Sequence, residues 1–344
     1  MRHGWIRKLL FLVLGVLALI ISYEVIQFVR HVPNEQLFAA IYRRLLAIFY
    51  FPLLDLFRHQ ILAISFWCAL ILTLYLQRLI PADPGQKVFS ASLAQDVVWF
   101  FYEAVLHAVV FFNYVGFITR YYNRHLSSLT ITSLDQSPGW LKFLLALLLL
   151  DFLYWTQHYF NHKVPLLWRF HVVHHSQREL NFFTDFRYHV LEYLVRYTFI
   201  AIPFLILRVN PPVIVAFAIF QRWYSRLYHG NIRTNLGPLR YILVTPQSHR
   251  VHHSLEPAYR DTNFGATFSF WDFLMGTQCK NFDVYPETGI EDEDFPDGRT
   301  ATARNFLLIP FYQMLYPFLG IDGSRQSSGL VAAPDPPQAE LVSR

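Results

Sequence analysis

The sequence predicts an all-α integral membrane protein: about four transmembrane helices plus a helical hairpin, with a histidine-rich cap on the cytoplasmic side. Three observations predict it. The 344-residue chain is 54% hydrophobic and 15% charged, against about 25% charged in an ordinary globular protein. Its apolar residues come in runs of membrane length. Ten of its 15 histidines fall between His158 and His253.

The runs can be taken in order. Leu9–Val29 is apolar except for Glu24 and follows a basic start, Arg2, Arg7 and Lys8. It is long and no small-residue cleavage site follows it, so it reads as a retained anchor and not a signal peptide. Leu37–Phe57 is interrupted by Arg43, Arg44 and Pro52, which suits the membrane interface better than its core. Ile61–Ile80, Val97–Ile118 and Leu141–Gln157 are the other spans, separated by the turn Pro81–Gln86 and the polar connection Asn123–Gly139.

Glu192–Tyr228 sets the topology. As one helix it would be about 55 Å long, nearly twice a bilayer core of about 30 Å. Arg208-Val-Asn-Pro-Pro212 divides it, and a double proline cannot continue a helix. The segment is therefore a hairpin that returns to its starting side, so His158–His189 and His229–His253 share a face. Lys163, Arg169, Arg178, Arg187, Arg226, Arg233, Arg240, Arg250 and Arg260 lie on that face, which the positive-inside rule makes cytoplasmic. If Leu37–Phe57 also spans, the N-terminus changes side and the shared face remains. Phe306–Leu319, with Pro310 and Pro317, suits an interfacial segment, and the polar tail from Ser324 is disordered by composition. The expected division is 1–140 as an N-terminal transmembrane region, 141–278 as the histidine-bearing domain, 279–323 as an interfacial segment and 324–344 as the tail.

Composition also excludes. Two cysteines, Cys68 and Cys279, build neither a disulfide framework nor a Cys-x-x-Cys site. The net charge of +5 belongs to membrane-flanking segments and not to a nucleic-acid surface.

Eight of the ten gathered histidines form three clusters: His158-x-x-x-His162, His171-x-x-His174-His175 and His249-x-x-His252-His253. Helical positions three and four apart share a face, so each cluster aims two or three imidazoles one way. His189 and His229 flank the hairpin. Packed imidazoles without a partner would repel or stay unsatisfied, and a metal relieves both costs. His3, His31, His59 and His125 read instead as interfacial polar tips, and His107 as the hydrogen-bond partner of Glu103. Ten imidazoles without thiolate exceed the four ligands of one structural zinc and suit two ions of higher coordination. Imidazole accepts iron, copper, nickel and zinc alike. No Glu-x-x-His or His-Glu-x-x-His occurs. The cap is therefore expected to be a di-metal cap, with iron favoured.

"DFLYWTQHYFNHKVPLLWRFHVVHHS" (Asp151–Ser176), "YHGN" (Tyr228–Asn231), "TPQSHRVHHS" (Thr245–Ser254), "DTNFG" (Asp261–Gly265) and "WDFLMGT" (Trp271–Thr277) together resemble the fatty acid hydroxylase/sterol desaturase superfamily of integral-membrane enzymes. The likeness covers roughly Leu141–Thr277. It departs at Arg187-Tyr-His189, which Val190 follows where related sequences often carry proline. The resemblance implies two iron ions held by His158, His162, His171, His174, His175, His189, His229, His249, His252 and His253. It implies O2 as co-substrate, and a lipid or sterol that is hydroxylated, desaturated or oxidatively demethylated. Asp151, Asp185, Glu192, Asn231, Asp261, Asn263 and Asp272 are candidates to accept imidazole N–H groups and fix the rings. Trp168, Phe270 and Trp271 could wall the cavity. The chain carries no flavin, nicotinamide or haem motif, so a separate electron donor is expected, a ferredoxin or a cytochrome b5-like protein with its reductase, docking on the basic face. The competing reading is a membrane protein that binds or transports zinc or copper. Such a protein would spread its ligands through the spans near the midplane, whereas these cluster at span ends.

Overall fold

The computed structural model describes residues 33–45, 64–134, 136–208, 211–292 and 306–318, and a few isolated positions besides. The architecture is helical. Its named helices are α1 (Asn34–Leu45), α2 (Ile64–Leu79), α3 (Ala91–His125), α4 (Gly139–Lys163), α5 (Pro165–His175), α6 (Val190–Leu207), α7 (Pro211–Tyr228), α8 (Pro246–His252), α9 (Phe270–Met275) and α10 (Ile309–Leu315). The described residues contain no strand, only two isolated bridges, Leu243 with Phe268 and Ser254 with Thr288.

Among the described residues two helices, α4 and α6, are long and apolar enough to cross a membrane. Ile61–Ile80 corresponds to the 16-residue α2. Val97–Ile118 lies inside the 35-residue α3, whose start is set by Ser90 Oγ accepting from Leu93 N. Leu9–Val29, most of Leu37–Phe57, the tail from Ser324, His3, His31, His59 and the side chain of His107 lie outside the described residues; His125 is exposed.

The chain breaks where the double proline requires. α6 ends at Leu207, Arg208 takes a left-handed φ of 47°, and α7 begins at Pro211. Glu192 in the first turn of α6 and His229 just past α7 both reach the histidines, so the chain leaves that level and returns to it. α4 packs against α6, and α6 against α3. Ala146, Leu150, Tyr154 and Leu207 form one apolar core. Phe66, Phe100, Phe182, Phe183 and Phe186 form a second.

One polar network holds the loop after α5. Asp96 of α3 is buried and accepts hydrogen bonds from Gln177 Nε2 (2.6 Å), Asn181 Nδ2 (2.7 Å), Thr184 Oγ1 (3.1 Å) and Arg187 Nε. Arg187 also donates to Ser176 Oγ (3.1 Å), the serine that ends the first histidine triplet. A buried charge is tolerated only when paired in this way. The segment Phe306–Phe318 docks on α3 through Gln313, whose Oε1 accepts from Trp99 Nε1 (2.7 Å), and leaves Leu307, Leu308, Phe311 and Tyr312 exposed.

A histidine cage in two crossed halves

Four short sequences deliver the ligand candidates. The last turns of α4 carry His158 and His162. Pro165, at the first position of α5, starts the helix that carries His171, His174 and His175; proline there has a suitable φ and no N–H to waste. Tyr228 ends α7 and His229 follows. Thr245 caps α8 by a reciprocal pair, its Oγ1 accepting from Ser248 N while Ser248 Oγ accepts from Thr245 N (2.9 Å each). That capping box, with Pro246 at the first position, fixes the seven-residue α8, which carries His249 and His252 and has His253 as its C-cap.

Nine of the ten histidines converge in two groups. His158, His162, His171, His175 and His252 form one, and His174, His229, His249 and His253 the other; within each group the candidate ligand atoms lie within 4.8 Å of one another. The two triplets are crossed. His171 and His175, four apart, serve the first group while His174 serves the second. His249 and His253, also four apart, serve the second while His252 serves the first. Each triplet thus gives two rings to one half and one ring to the other, and the stacked pair His175–His253 (centroids 4.3 Å apart) joins the halves.

The tautomers follow from the acceptors. Nδ1–H of His171 donates to Glu192 Oε1 (2.8 Å), that of His158 to Phe264 O (2.9 Å), that of His252 to Thr262 O (2.8 Å) and that of His229 to Ser225 O (2.7 Å). His162 Nδ1 lies 3.3 Å from Asp261 Oδ1. These five rings therefore present Nε2 lone pairs inward. His171 Nε2 stands 3.2 Å from His175 Nε2, which stands 3.1 Å from His252 Nε2. His229 Nε2 stands 3.2 Å from His174 Nε2 and 2.8 Å from His249 Nε2. His158 Nε2 and His162 Nε2 are buried with no hydrogen-bond partner among the described residues. His158 Nε2 and His162 Nε2 thus turn lone pairs inward toward no donor among the described residues, and His171, His252 and His229 can find one only if a neighbouring ring keeps its Nε2 proton. Two nitrogens bound at right angles to one ion, each about 2.1 Å from it, are also about 3 Å apart. The donor set therefore fits two metal ions.

Electrostatics agree. Burial, and then the neighbouring imidazoles, push His174, His175, His249 and His253 well below the ordinary imidazole range. Burial takes His252 down to about 3. These rings are neutral at physiological pH, the form in which imidazole binds metal.

His189 stands apart. Its Nδ1 accepts from Leu191 N (3.1 Å) to cap α6, and its Nε2–H donates to Met314 O (3.0 Å). Both nitrogens are engaged away from the two groups, and its expected role as a ligand gives way to that of a helix cap. His189→Ala is expected to leave metal content within about 20% of wild type and to lower stability by about 1 kcal/mol, as removal of a helix cap does. Metal analysis and thermal unfolding of the purified variant check this.

The acidic candidates divide. Glu192 and Asp261 reach ring nitrogens directly, and Asp261 also binds Lys163 Nζ at 2.6 Å. Asp185 accepts from Ser225 Oγ (2.7 Å) and lies 3.7 Å from His229 Nδ1. Asp151, Asn231, Asn263 and Asp272 touch no imidazole. Asn231 accepts from Asp83 N (2.8 Å) and anchors the turn at Pro81–Gln86. Asn263 accepts from Cys279 N and donates to Ser248 O (2.8 Å each). Asp151 and Asp272 hold the loop around Gly265. There Asp261 and Asn263 both have a φ of 58°, and a Cβ at Gly265 would come within 2.9 Å of Asp272 Oδ2 and Phe268 O. Trp168 packs on His162 and His175 (5.0 and 5.3 Å), whereas Trp271 donates to Asp151 (3.0 Å). Sequence reasoning missed Phe264, packed on His158, His162 and His252, and Asn161, which donates to Glu192 (2.9 Å). It also missed the three backbone carbonyls. Only Asn161, set between His158 and His162, left a trace in the sequence.

Among the described residues the fold is helical, two helices are long and apolar enough to cross a membrane, and nine imidazoles converge in two groups that could hold metal ions. Residues 143–277 match the fatty acid hydroxylase family. The chain is 34% identical over 143 residues to an ornithine lipid hydroxylase of Rhizobium tropici, covering 42% of this chain and 43% of that protein. It is 36% identical over 132 residues to the alkylglycerol monooxygenase of Homo sapiens (38% of this chain, 29% of that protein). It is 30% identical over 136 residues to the cholesterol 25-hydroxylase of Mus musculus (39% and 45%). In each case the match takes in less than half of the relative's length. By their names these relatives are hydroxylases and monooxygenases, hence oxidoreductases. No solved structure matches the chain.

Proposed function

We propose that the chain is a membrane-bound non-haem di-iron oxygenase that uses O2 and two electrons to hydroxylate or desaturate a lipid or sterol at a C–H bond. The observation that carries this reading is the cage of nine imidazoles, seven of them on buried residues, whose ring nitrogens converge in groups of five and four. The family match and the names of the relatives support oxidation of a lipid. Iron is the choice of metal because five imidazoles exceed the four ligands of a closed zinc site, and because the relatives include monooxygenases.

The ions, when bound, supply the reduction of O2 and the removal of hydrogen from carbon. The chain's own residues do the rest. Glu192, Asp261 and the carbonyls of Thr262, Phe264 and Ser225 hold the Nδ1 protons, so each ring turns its Nε2 inward in the required tautomer. Phe264 and Trp168 shield one half of the cage from water. A cleft lined by α4, α6 and α7 reaches His158, His171, His174, His229 and His249, and the substrate enters there. Residues 141–278 form the catalytic unit. The basic residues on either side of the hairpin support a cytoplasmic position for the cage, where a ferredoxin or cytochrome b5-like donor would deliver electrons in an association that weakens with salt.

Metal analysis of natively expressed, detergent-purified protein tests the reading. About two irons per chain are expected, with turnover that requires an added donor. Stoichiometric zinc or copper would replace this reading by metal binding or transport. Turnover on reduced nicotinamide by the chain alone would remove the donor.

A further inference from the structure

Arg196 is a cation in the middle of α6, one of the two helices long and apolar enough to cross a membrane. An ionisable side chain at such a position is expensive and calls for a partner. None of the described carboxylates forms an ion pair with it. Its guanidinium lies instead over the rings of Tyr154 and Tyr188 (5.1 and 5.2 Å from the centroids) and hydrogen-bonds the side chain of Tyr154, and Arg196 lines the cleft that leads to the histidines. Asp185 attracts Arg196 through space but hydrogen-bonds Ser225 and lies beside His229 and Arg226, and Glu192, one turn away, is bound to His171 and Asn161.

The other walls point the same way. Gln157 and Gln221 line the cleft at 6% and 5% exposure and form no hydrogen bond to another described residue. A pocket meant for an acyl chain alone would be apolar. This one presents a fixed cation between two aromatic faces and two free amides, the equipment for an oxyanion.

We propose, resting on the reading of the cleft as a lipid site, that Arg196 binds an oxyanion of the substrate, a phosphate or a carboxylate, with Gln157 and Gln221 beside it. Glu192, which orients His171, is one turn before Arg196, about 6 Å along the helix axis. An oxyanion held at Arg196 therefore brings a carbon only a few bonds from the polar end of the lipid to the cage. The reaction then falls near the headgroup and not in mid-chain, and neutral lipids are poor substrates.

The test is equilibrium binding of three radiolabelled probes to the full-length, metal-loaded protein in phosphatidylcholine nanodiscs: dodecyl phosphate, dodecanoate and neutral 1-O-dodecylglycerol. Wild type is expected to bind at least one anionic probe about tenfold or more tighter than the neutral one, a discrimination of the size a charge-assisted bidentate contact supplies. Arg196→Gln should lose that preference and keep its affinity for dodecylglycerol, while Arg196→Lys keeps part of it. Preference for phosphate or for carboxylate identifies the headgroup, and either supports the site. Equal binding of anionic and neutral probes by wild type, or undiminished anion binding by Arg196→Gln, overturns it. If Arg196→Gln fails to insert, the wild-type comparison and Arg196→Lys decide. Metal content measured on the same samples separates this outcome from the oxygenase reading, since a chain without iron that still selects anions keeps the site and loses the oxidation.

Discussion

His174→Ala and His252→Ala are each expected to abolish product formation, by well over the 100-fold that loss of an orienting partner typically costs, and to lower the metal content while the protein still enters the membrane. The crossed triplets make the two losses unequal. His252 belongs to the group of five and His174 to the group of four, so removal of His174 leaves three imidazoles and removal of His252 leaves four. His174→Ala should lose close to one metal per chain, and His252→Ala distinctly less. His229→Ala, in the group of four, should follow His174→Ala. Elemental analysis of membranes and of purified protein, read beside product formation, checks all three. Full metal content with lost activity in both triplet variants would make these rings acid–base or positioning groups, and the two-ion assignment would fall.

What the sequence disclosed here is uneven, for physical reasons. Spacings of three and four place histidines on one helical face, so the gathering was visible from the triplets. The partition was not. Which ring of a triplet joins which half depends on how α5 and α8 oppose each other, and that is a tertiary fact. His189 sat at the right place along the chain, directly before the hairpin. A residue before a helix also has an unpaired N–H to satisfy, and capping Leu191 claimed its Nδ1. The absence of the expected proline at Val190 was the one local sign of this. The carbonyls of Ser225, Thr262 and Phe264 were invisible because a backbone acceptor has no residue type. The hairpin was legible because a double proline leaves the helix no alternative.

Asp151 and Asp272 hold the surroundings of the site without touching an imidazole. Asp272 is buried and its carboxylate accepts from Trp155 Nε1 (2.9 Å), Phe264 N (2.8 Å), Gly265 N (2.8 Å) and Thr277 Oγ1 (2.6 Å). Asp151 accepts from Thr267 N (3.1 Å), Phe268 N (3.2 Å) and Trp271 Nε1 (3.0 Å). Between them they fasten the loop 262–268 to α4, and that loop supplies the carbonyls that orient His158 and His252. Burial raises the Asp272 carboxyl above its usual range, and the hydrogen bonds from Thr277, Trp155, Gly265 and Phe264 act in the opposite direction.

Asp272→Ala is therefore expected to cost about 3–5 kcal/mol: four donors lose their acceptor at about 1–3 kcal/mol each, less what water entering the space recovers. The metal should respond as well, in the group of five chiefly, because His158 and His252 lose the carbonyls that hold their Nδ1 protons. His174→Ala, by contrast, should lose metal with little change in the stability of the metal-free protein, since it removes a ring and fastens nothing. Thermal unfolding of both variants, with and without chelator, separates the two behaviours. The stability loss of Asp272→Ala must persist in chelator, because it arises from the unsatisfied loop and not from the ions. If chelator erased it, Asp272 would be acting through the metal, and the fastening role assigned to its four hydrogen bonds would be wrong.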